Sequence, residues 1–85
     1  MQRPSSSGGR KRERAFGRVL QEIRKERGLS QEQLGFESGY HRTYTSFLER
    51  GKKNPTLAAV FDLAETMKMP AWELVRRVEA RLKGG

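Results

Sequence analysis

A glycine at position 39 separates two short segments that each carry helix signals, and this corner constrains the fold most. Ser30 is a good N-cap residue, and Gln33 completes a capping box with it, so a helix is expected directly after Ser30. Gly39 has no Cβ and accepts the positive φ of a sharp turn. A second helix is predicted from about His41 to Arg50. The chain is therefore expected to place two short helices at an angle to each other.

The second segment divides its side chains between two faces of the expected helix. Tyr44, Thr45 and Leu48 recur at helical spacing and are expected to face inward, at least in part. The other face carries Arg42, Thr43, Ser46, Phe47 and Arg50. Gly51 then ends the helix, and a basic loop precedes Pro55. The residues of this loop are Lys52, Lys53 and Asn54, a composition that suits negatively charged phosphates.

These residues carry a resemblance to a known family. The segments LSQEQL, ESG, RTY, LERGKKNP and TLAAVFDLAE resemble the phage-repressor (Cro/C1 or XRE) helix-turn-helix family, and the similarity runs roughly from Phe16 to Val78. The resemblance implies an all-α, lambda-repressor-like domain of five helices, in which helices two and three form the helix-turn-helix. It also implies binding of double-stranded DNA, usually by a homodimer, with the helix after the glycine corner in the major groove.

Matching motif positions gives individual residues an expected role. The resemblance implies that Arg42 and Thr43 read base edges, with His41, Ser46 and Phe47 nearby. The residues expected at phosphates are Ser30, Gln31, Tyr44, Arg50, Lys52, Lys53 and Asn54. Arg24 and Glu49 match a partly buried ion pair that joins helix one to the recognition helix in many relatives.

Three positions depart from the family pattern. Gly35 replaces the usual alanine, which keeps a close helix crossing but lowers helix propensity by about 1 kcal/mol. Thr45 stands where Ile or Val is usual, so its hydroxyl needs a partner, most simply the His41 carbonyl one turn back. Phe47 stands where polar residues are commoner, and it either touches a thymine methyl group or only packs. The base preference of relatives therefore does not transfer.

Three further helices are expected around the central pair. The first spans about Arg14 to Arg27, and the fourth is capped by Thr56. The fourth helix is expected to bury Leu57, Val60, Phe61, Ala64 and Met67. The fifth begins near Pro70 and has more apolar surface than a small core can cover. A homodimer interface is therefore predicted at Trp72, Leu74, Val75 and Val78. The alternative is that Trp72 is an ordinary core residue.

Length and composition exclude several classes of function. A chain of 85 residues with no Cys and one His offers no room for a separate catalytic domain and no metal cluster. We expect no catalytic site, cofactor or small-molecule ligand. The sequence contains no apolar run of membrane or signal-peptide type, which favours a cytoplasmic protein. RNA binding is less expected, because no exposed aromatic platform for stacking bases is evident.

The charge is unevenly spread along the chain. Half of the net charge of +8 lies in residues 1–14, a Ser- and Gly-rich segment that is expected to be a disordered tail before a folded domain at residues 15–83. The tail either keeps the chain soluble or forms an arm that contacts DNA phosphates or the minor groove.

The sequence as a whole predicts a homodimeric, sequence-specific transcriptional regulator that binds an inverted-repeat operator. The main rival is an antitoxin, which would use the same fold to bind a toxin and repress its own operon. The chain stops at Gly85, soon after the fifth helix, which favours the dedicated regulator. HRTY followed by LERG also resembles the controller proteins of restriction-modification systems, which are small dimers of this family.

Overall fold

Five α-helices make up the computed structural model, which describes residues 10–84. They are α1 (Lys11–Glu26), α2 (Gln31–Ser38), α3 (Arg42–Glu49), α4 (Leu57–Thr66) and α5 (Ala71–Gly84). The described range contains no strand, so the prediction of an all-α, five-helix fold is confirmed. None of the five helices is long and apolar enough to cross a membrane.

Helix α1 begins earlier than the sequence predicts. Its expected start is near Arg14, but it begins at Lys11, and the Arg10 carbonyl accepts a hydrogen bond from the Arg14 amide at 2.9 Å. Residues 10–14 are therefore ordered, and the expected boundary of the tail lies too far along the chain. The physical reason is that Arg10 and Arg14 contact the loop after α3. The remainder of the expected tail, residues 1–9, lies outside the described residues.

Local signals set the ends of the central helices. The Ser30 hydroxyl accepts from the Gln33 amide at 3.0 Å, and the Gln33 side chain accepts from the Ser30 amide at 2.8 Å, which is the expected capping box. Gly39 ends α2 with a φ of 89°. Beyond Gly39, the Tyr40 amide donates to the Gly35 carbonyl at 2.7 Å, so the chain turns at once towards α3.

The core lies among all five helices. Helix α1 packs against α3 and α5, α2 packs against α3 and α4, and α4 packs against α5. The largest fully buried apolar side chains are Leu20, Ile23, Leu34, Leu48, Leu63, Met67 and Leu74. Burying one such side chain stabilises the fold by about 1.5–3 kcal/mol, so these contacts fix where α3 lies.

Helices α4 and α5 expose a different apolar set from the one that the sequence predicts. Leu57 and Phe61, predicted in the core, are 74% and 57% exposed, because α4 turns Leu63 and its neighbours inward instead. Leu74, predicted at the dimer interface, is 0% exposed within its own core, so that assignment is wrong. Trp72 is 66% exposed, which also makes the alternative of an ordinary core residue wrong.

Candidate nucleic-acid interface

The inner face of α3 anchors this helix in the domain. Thr45 and Leu48 are fully buried, and Tyr44 is partly buried against the core. The outer face has exposed side chains at Arg42, Thr43 and Arg50 and partly buried ones at Ser46 and Phe47. This is the division that the helical spacing predicts, and it leaves a polar and basic face open to a partner.

The N-terminus of α3 is capped by a ring nitrogen. Nδ1 of His41 accepts a hydrogen bond from the Thr43 amide at 3.0 Å. Because Nδ1 serves as the acceptor here, only Nε2 of this ring is left for a further contact. The exposed side chains of Arg42 and Thr43 follow in the first turn, where the helix dipole also favours negative charge.

A buried polar network lies beneath α3 and joins it to α1 and α2. Nε and Nη2 of Arg24 donate to the two carboxylate oxygens of Glu49 at 2.5 and 3.0 Å. Nη1 of Arg24 donates to the Leu29 carbonyl at 2.8 Å. Nε2 of Gln31 also donates to Glu49, at 2.9 Å. The Glu49 side chain is only 1% exposed, so its charge is satisfied internally and is kept away from an approaching phosphate.

Glycines allow two close backbone approaches around α3. A Cβ added to Gly17 would lie 2.5 Å from the Glu49 carbonyl oxygen, so α1 crosses α3 in direct backbone contact. A Cβ added to Gly35 would lie 2.7 Å from the Tyr40 carbonyl oxygen, and the predicted close approach at Gly35 is confirmed. Sequence analysis missed Gly17, although a glycine inside a strong helical pattern is the signal of such a contact.

The Thr45 hydroxyl does not form the predicted hydrogen bond. Its oxygen is buried and has no hydrogen-bond partner among residues 10–84. The His41 carbonyl accepts from the amides of Tyr44 and Thr45 instead, at 3.0 and 3.3 Å. Gly35 packs opposite Thr45, since a Cβ there would lie 3.1 Å from the hydroxyl oxygen. The small threonine therefore serves close packing of α2 on α3.

The turn between α2 and α3 is tied to α4 by a hydrogen bond from Tyr40 to Asp62. The Tyr40 hydroxyl donates to a carboxylate oxygen of Asp62 at 2.7 Å. This hydrogen bond, together with burial, raises the pKa of Tyr40 to about 12. The ring centroids of Tyr40 and Tyr44 lie 5.0 Å apart. The Tyr44 ring thus packs against the turn, and its contact with a phosphate stays a prediction.

The loop after α3 carries a cluster of cations around one aromatic ring. Gly51 takes a φ of 71°, and the Lys52 amide donates to the Phe47 carbonyl at 2.9 Å. The Arg50 guanidinium carbon lies 5.3 Å from the Phe47 ring centroid, and the Lys53 ammonium lies 6.0 Å from it. The loop side chains Lys52, Lys53 and Asn54 are all exposed. The ring thus supports two positive charges where the outer face of α3 ends.

The short helices α2 and α3, joined by the turn at Gly39, are the pattern of a known protein family. A model described as Helix-turn-helix matches residues 20–71. The chain belongs to the helix-turn-helix family, in its Cro/C1-type (XRE) branch. It is a DNA-binding transcription regulator of that type, with α2 and α3 as its helix-turn-helix.

Three helix-turn-helix relatives show how far the similarity extends. The chain is 42% identical over 53 residues to the uncharacterized HTH-type transcriptional regulator y4dJ of Sinorhizobium fredii, covering 62% of this chain and 69% of that protein. It is 34% identical over 61 residues to control protein C.BamHI of Bacillus amyloliquefaciens, covering 71% and 75%. The crystal structure of the restriction-modification controller protein C.AhdI from Aeromonas hydrophila superposes with a TM-score of 0.71 at 40% identity, covering 73% and 94%.

The helix-turn-helix geometry brings together most of the residues singled out from the sequence. The outer face of α3 and the loop at residues 52–54 adjoin each other and are exposed or partly buried, whereas Trp72 and Val75 of α5 form a separate exposed surface beside α4. Arg10 was missed: its Nη1 donates to the carbonyls of Gly51 and Lys52, at 3.2 Å each. No local signal reveals this contact, because it joins positions 41 and 42 residues apart in the sequence.

Proposed function

We propose that this helix-turn-helix protein is a homodimeric transcriptional regulator that reads an inverted-repeat operator through α3. The observation that carries the proposal is the exposed, basic outer face of α3, held from beneath by the Arg24 and Glu49 pair. A recognition helix fixed in this way presents its side chains to a groove without reorganising. C.AhdI is named a restriction-modification controller protein, and this supports a controller role for the present chain.

Base reading and phosphate contact are assigned to different parts of this interface. Arg42, whose exposed guanidinium at the start of α3 can donate two parallel hydrogen bonds, is assigned to a guanine edge. His41, Thr43, Ser46 and Phe47 are assigned to neighbouring bases. Phosphate contact is assigned to Ser30, Gln31, Tyr44, Arg50, Lys52, Lys53 and Asn54. Phosphate contacts supply affinity for any duplex, while base contacts supply discrimination.

Two alanine variants test this division. The first step is to select a preferred site from a library of random duplexes with the unmodified protein. Arg42→Ala is expected to cost about 1–3 kcal/mol on that site and to relax preference at the contacted base pair. Lys53→Ala is expected to weaken all duplexes alike and to reduce the salt dependence of log K by about one unit. Fluorescence anisotropy on selected and random duplexes measures both, and identical losses for the two variants would contradict the division.

Dimerisation is assigned to an apolar patch between α4 and α5. The patch is made of Leu57, Phe61, Trp72 and Val75, each at least half exposed. Together with Val60, which is buried, these side chains line an open groove of about 500 Å³. A contiguous apolar patch of this kind marks an interaction surface, and a two-fold axis would let the same patch on a second copy cover it.

A charge placed in the patch tests the dimer. Val75→Glu would set like charges near the axis and is expected to give a folded monomer that binds single half-sites weakly. Val78 is a poorer site for this test, because its side chain packs partly against its own core. Ala80→Glu, exposed on the same helix, is the control and is expected to remain dimeric.

Sedimentation at micromolar concentration reads out the association state. In a dimer the two recognition helices would be about 34 Å apart, one turn of DNA, and the selected site would be an inverted repeat. A monomeric unmodified protein that binds a single half-site with full affinity would overturn the dimer.

A further inference from the structure

The N-terminal end of α1 holds the loop that follows α3 by hydrogen bonds and close packing, a contact called the grip below. Nη1 of Arg10 lies 3.2 Å from the carbonyl oxygens of both Gly51 and Lys52 and donates to each. Gly51 also lies directly on α1, since a Cβ there would come within 2.8 Å of Cγ of Arg14. The loop is therefore held at two successive residues from the α1 side.

The Lys52 carbonyl, which accepts from Arg10, belongs to the same peptide group as the amide of Lys53, which has no acceptor in the described range. The Lys52 carbonyl and the Lys53 amide form one peptide, and no peptide bond in the described range is cis. In a trans peptide the N–H points away from the C=O, so a guanidinium bound to the Lys52 carbonyl directs the Lys53 N–H away from α1. No group among residues 10–84 accepts from this amide, whereas the preceding amide of Lys52 donates to Phe47.

The surroundings of the Lys53 amide are positive. Arg50, Lys52 and Lys53 are exposed, and within the described range none of them lies within 4.0 Å of a carboxylate oxygen. A positive group on the carbonyl side of a peptide also polarises the bond and makes its N–H a stronger donor. A free backbone N–H among unpaired cations is an anion-binding arrangement, and a phosphodiester oxygen fits it.

We propose that Arg10 is a positioning residue for DNA binding. It holds the peptide between Lys52 and Lys53 so that the Lys53 amide meets a backbone phosphate of the bound duplex. This inference rests on the proposed function, since it takes a duplex as the ligand. It assigns Arg10 a role different from that of a phosphate-contacting cation, because its guanidinium is directed at protein carbonyls.

Three variants of the full chain separate positioning from charge. Arg10→Gln removes the charge and the grip, and Arg10→Lys keeps the charge but offers a shorter reach without the guanidinium's fixed donors. Arg12→Gln removes the same charge from an exposed neighbour that has no hydrogen bond to the loop within residues 10–84. Affinity is measured by anisotropy on the duplex selected by the unmodified protein, and circular dichroism melting checks that each variant is folded.

Arg10→Gln is expected to weaken binding by about tenfold, the scale of one lost charge-assisted hydrogen bond, and Arg10→Lys by several-fold. Arg12→Gln is expected to lose no more than about threefold, the effect of one unpaired surface charge. Equal losses for Arg10→Gln and Arg12→Gln, or full affinity for Arg10→Lys, would overturn the proposal.

The Lys53 amide gives a second readout that needs no DNA. In the free protein, its amide proton chemical shift is expected to move in both Arg10 variants and to stay unchanged in Arg12→Gln. An unmoved resonance would overturn the positioning role. If the unmodified protein selected no duplex while the resonance moved as expected, the proposed function would fail and the grip on the loop would stand.

Discussion

The region beneath α3 and the face between α4 and α5 differ in how completely their side chains are covered within one chain. Beneath α3, Arg24, Glu49 and Gln31 satisfy one another, and Gly17 lets two backbones touch. Between α4 and α5, large apolar side chains such as Trp72 and Phe61 stay more than half exposed. The first region is complete within one chain, and the second is left with apolar surface that a partner would cover.

The helix ends differ between the same two regions. On the α3 side, the turns after α2 and α3 place Gly39 and Gly51 at positive φ. Glycine adopts this conformation without the strain that a Cβ would cause. The turn between α4 and α5 places Lys68 there, with a φ of 62°. Strain is thus removed where the position of α3 depends on the turn and is retained away from it.

The largest expected effect comes from breaking the network under α3. Glu49→Ala leaves the Arg24 guanidinium buried without its carboxylate, and it is expected to lower the free energy of unfolding by about 3–5 kcal/mol. That is a large share of the 5–15 kcal/mol typical of a small domain, so the variant is expected to melt far below the unmodified protein. Thermal and urea melts followed by circular dichroism give the measurement.

Glu79→Ala is the control for this loss. Glu79 is exposed on α5 and has no ion pair within residues 10–84, so its removal is expected to change stability by less than about 0.5 kcal/mol. An unchanged melting temperature for Glu49→Ala would show that the ion pair beneath α3 does not stabilise the fold.

The next effect is steric and tests the backbone contact. Gly17→Ala places a methyl group against the carbonyls of Leu48 and Glu49, which are backbone atoms and cannot turn away. We expect a loss of about 1–3 kcal/mol, despite the higher helix propensity of alanine. Gly84→Ala, in open space at the end of α5, is the matched control and is expected to be neutral or slightly stabilising. Equal melting of the two variants would mean that α1 and α3 separate at little cost.

The strained turn of the other region is expected to respond in the opposite direction. Lys68→Gly removes the Cβ penalty at positive φ and is expected to raise stability by about 1 kcal/mol. Lys68→Ala also removes the long side chain but keeps the Cβ, so it is expected to show no comparable gain. A Lys68→Ala protein as stable as Lys68→Gly in urea melts would assign the effect to the side chain and not to the backbone.

Local rules predicted the recognition-helix region well, for a physical reason. The Ser30 capping box and the turn at Gly39 depend on neighbours a few residues away, which a sequence displays directly. The close approach at Gly35 could be predicted because a glycine inside a helix needs a packing reason. The Thr45 hydroxyl shows where local rules fail. The His41 carbonyl lies one turn back, but the hydroxyl is closely packed against Gly35 and forms no hydrogen bond with that carbonyl.

The same rules failed where burial depends on distant elements. Helix α4 has apolar residues over more than half of its circumference, so spacing alone did not show that Leu63 faces inward and Phe61 outward. Leu74 was misplaced for the same reason, since only the packing of α5 against α1 and α4 decides which side of α5 is covered. The contact of Arg10 with the loop after α3 could not be predicted, because it joins residues that are far apart in the sequence.

The smallest expected effect is on the titration of Tyr40, which links the turn before α3 to α4. Because its hydroxyl donates to Asp62, the folded state favours the neutral phenol, and the pKa of Tyr40 rises from 10.0 to about 12. The contribution of this bond to stability is therefore complete below pH 10 and is lost as the pH rises towards 12. An alkaline titration followed by tyrosinate absorbance is expected to show a late component that Tyr40→Phe lacks and that Asp62→Ala moves to lower pH. If Asp62→Ala left the late component in place while the protein stayed folded, the tie between the turn and α4 would not be the cause of the shift.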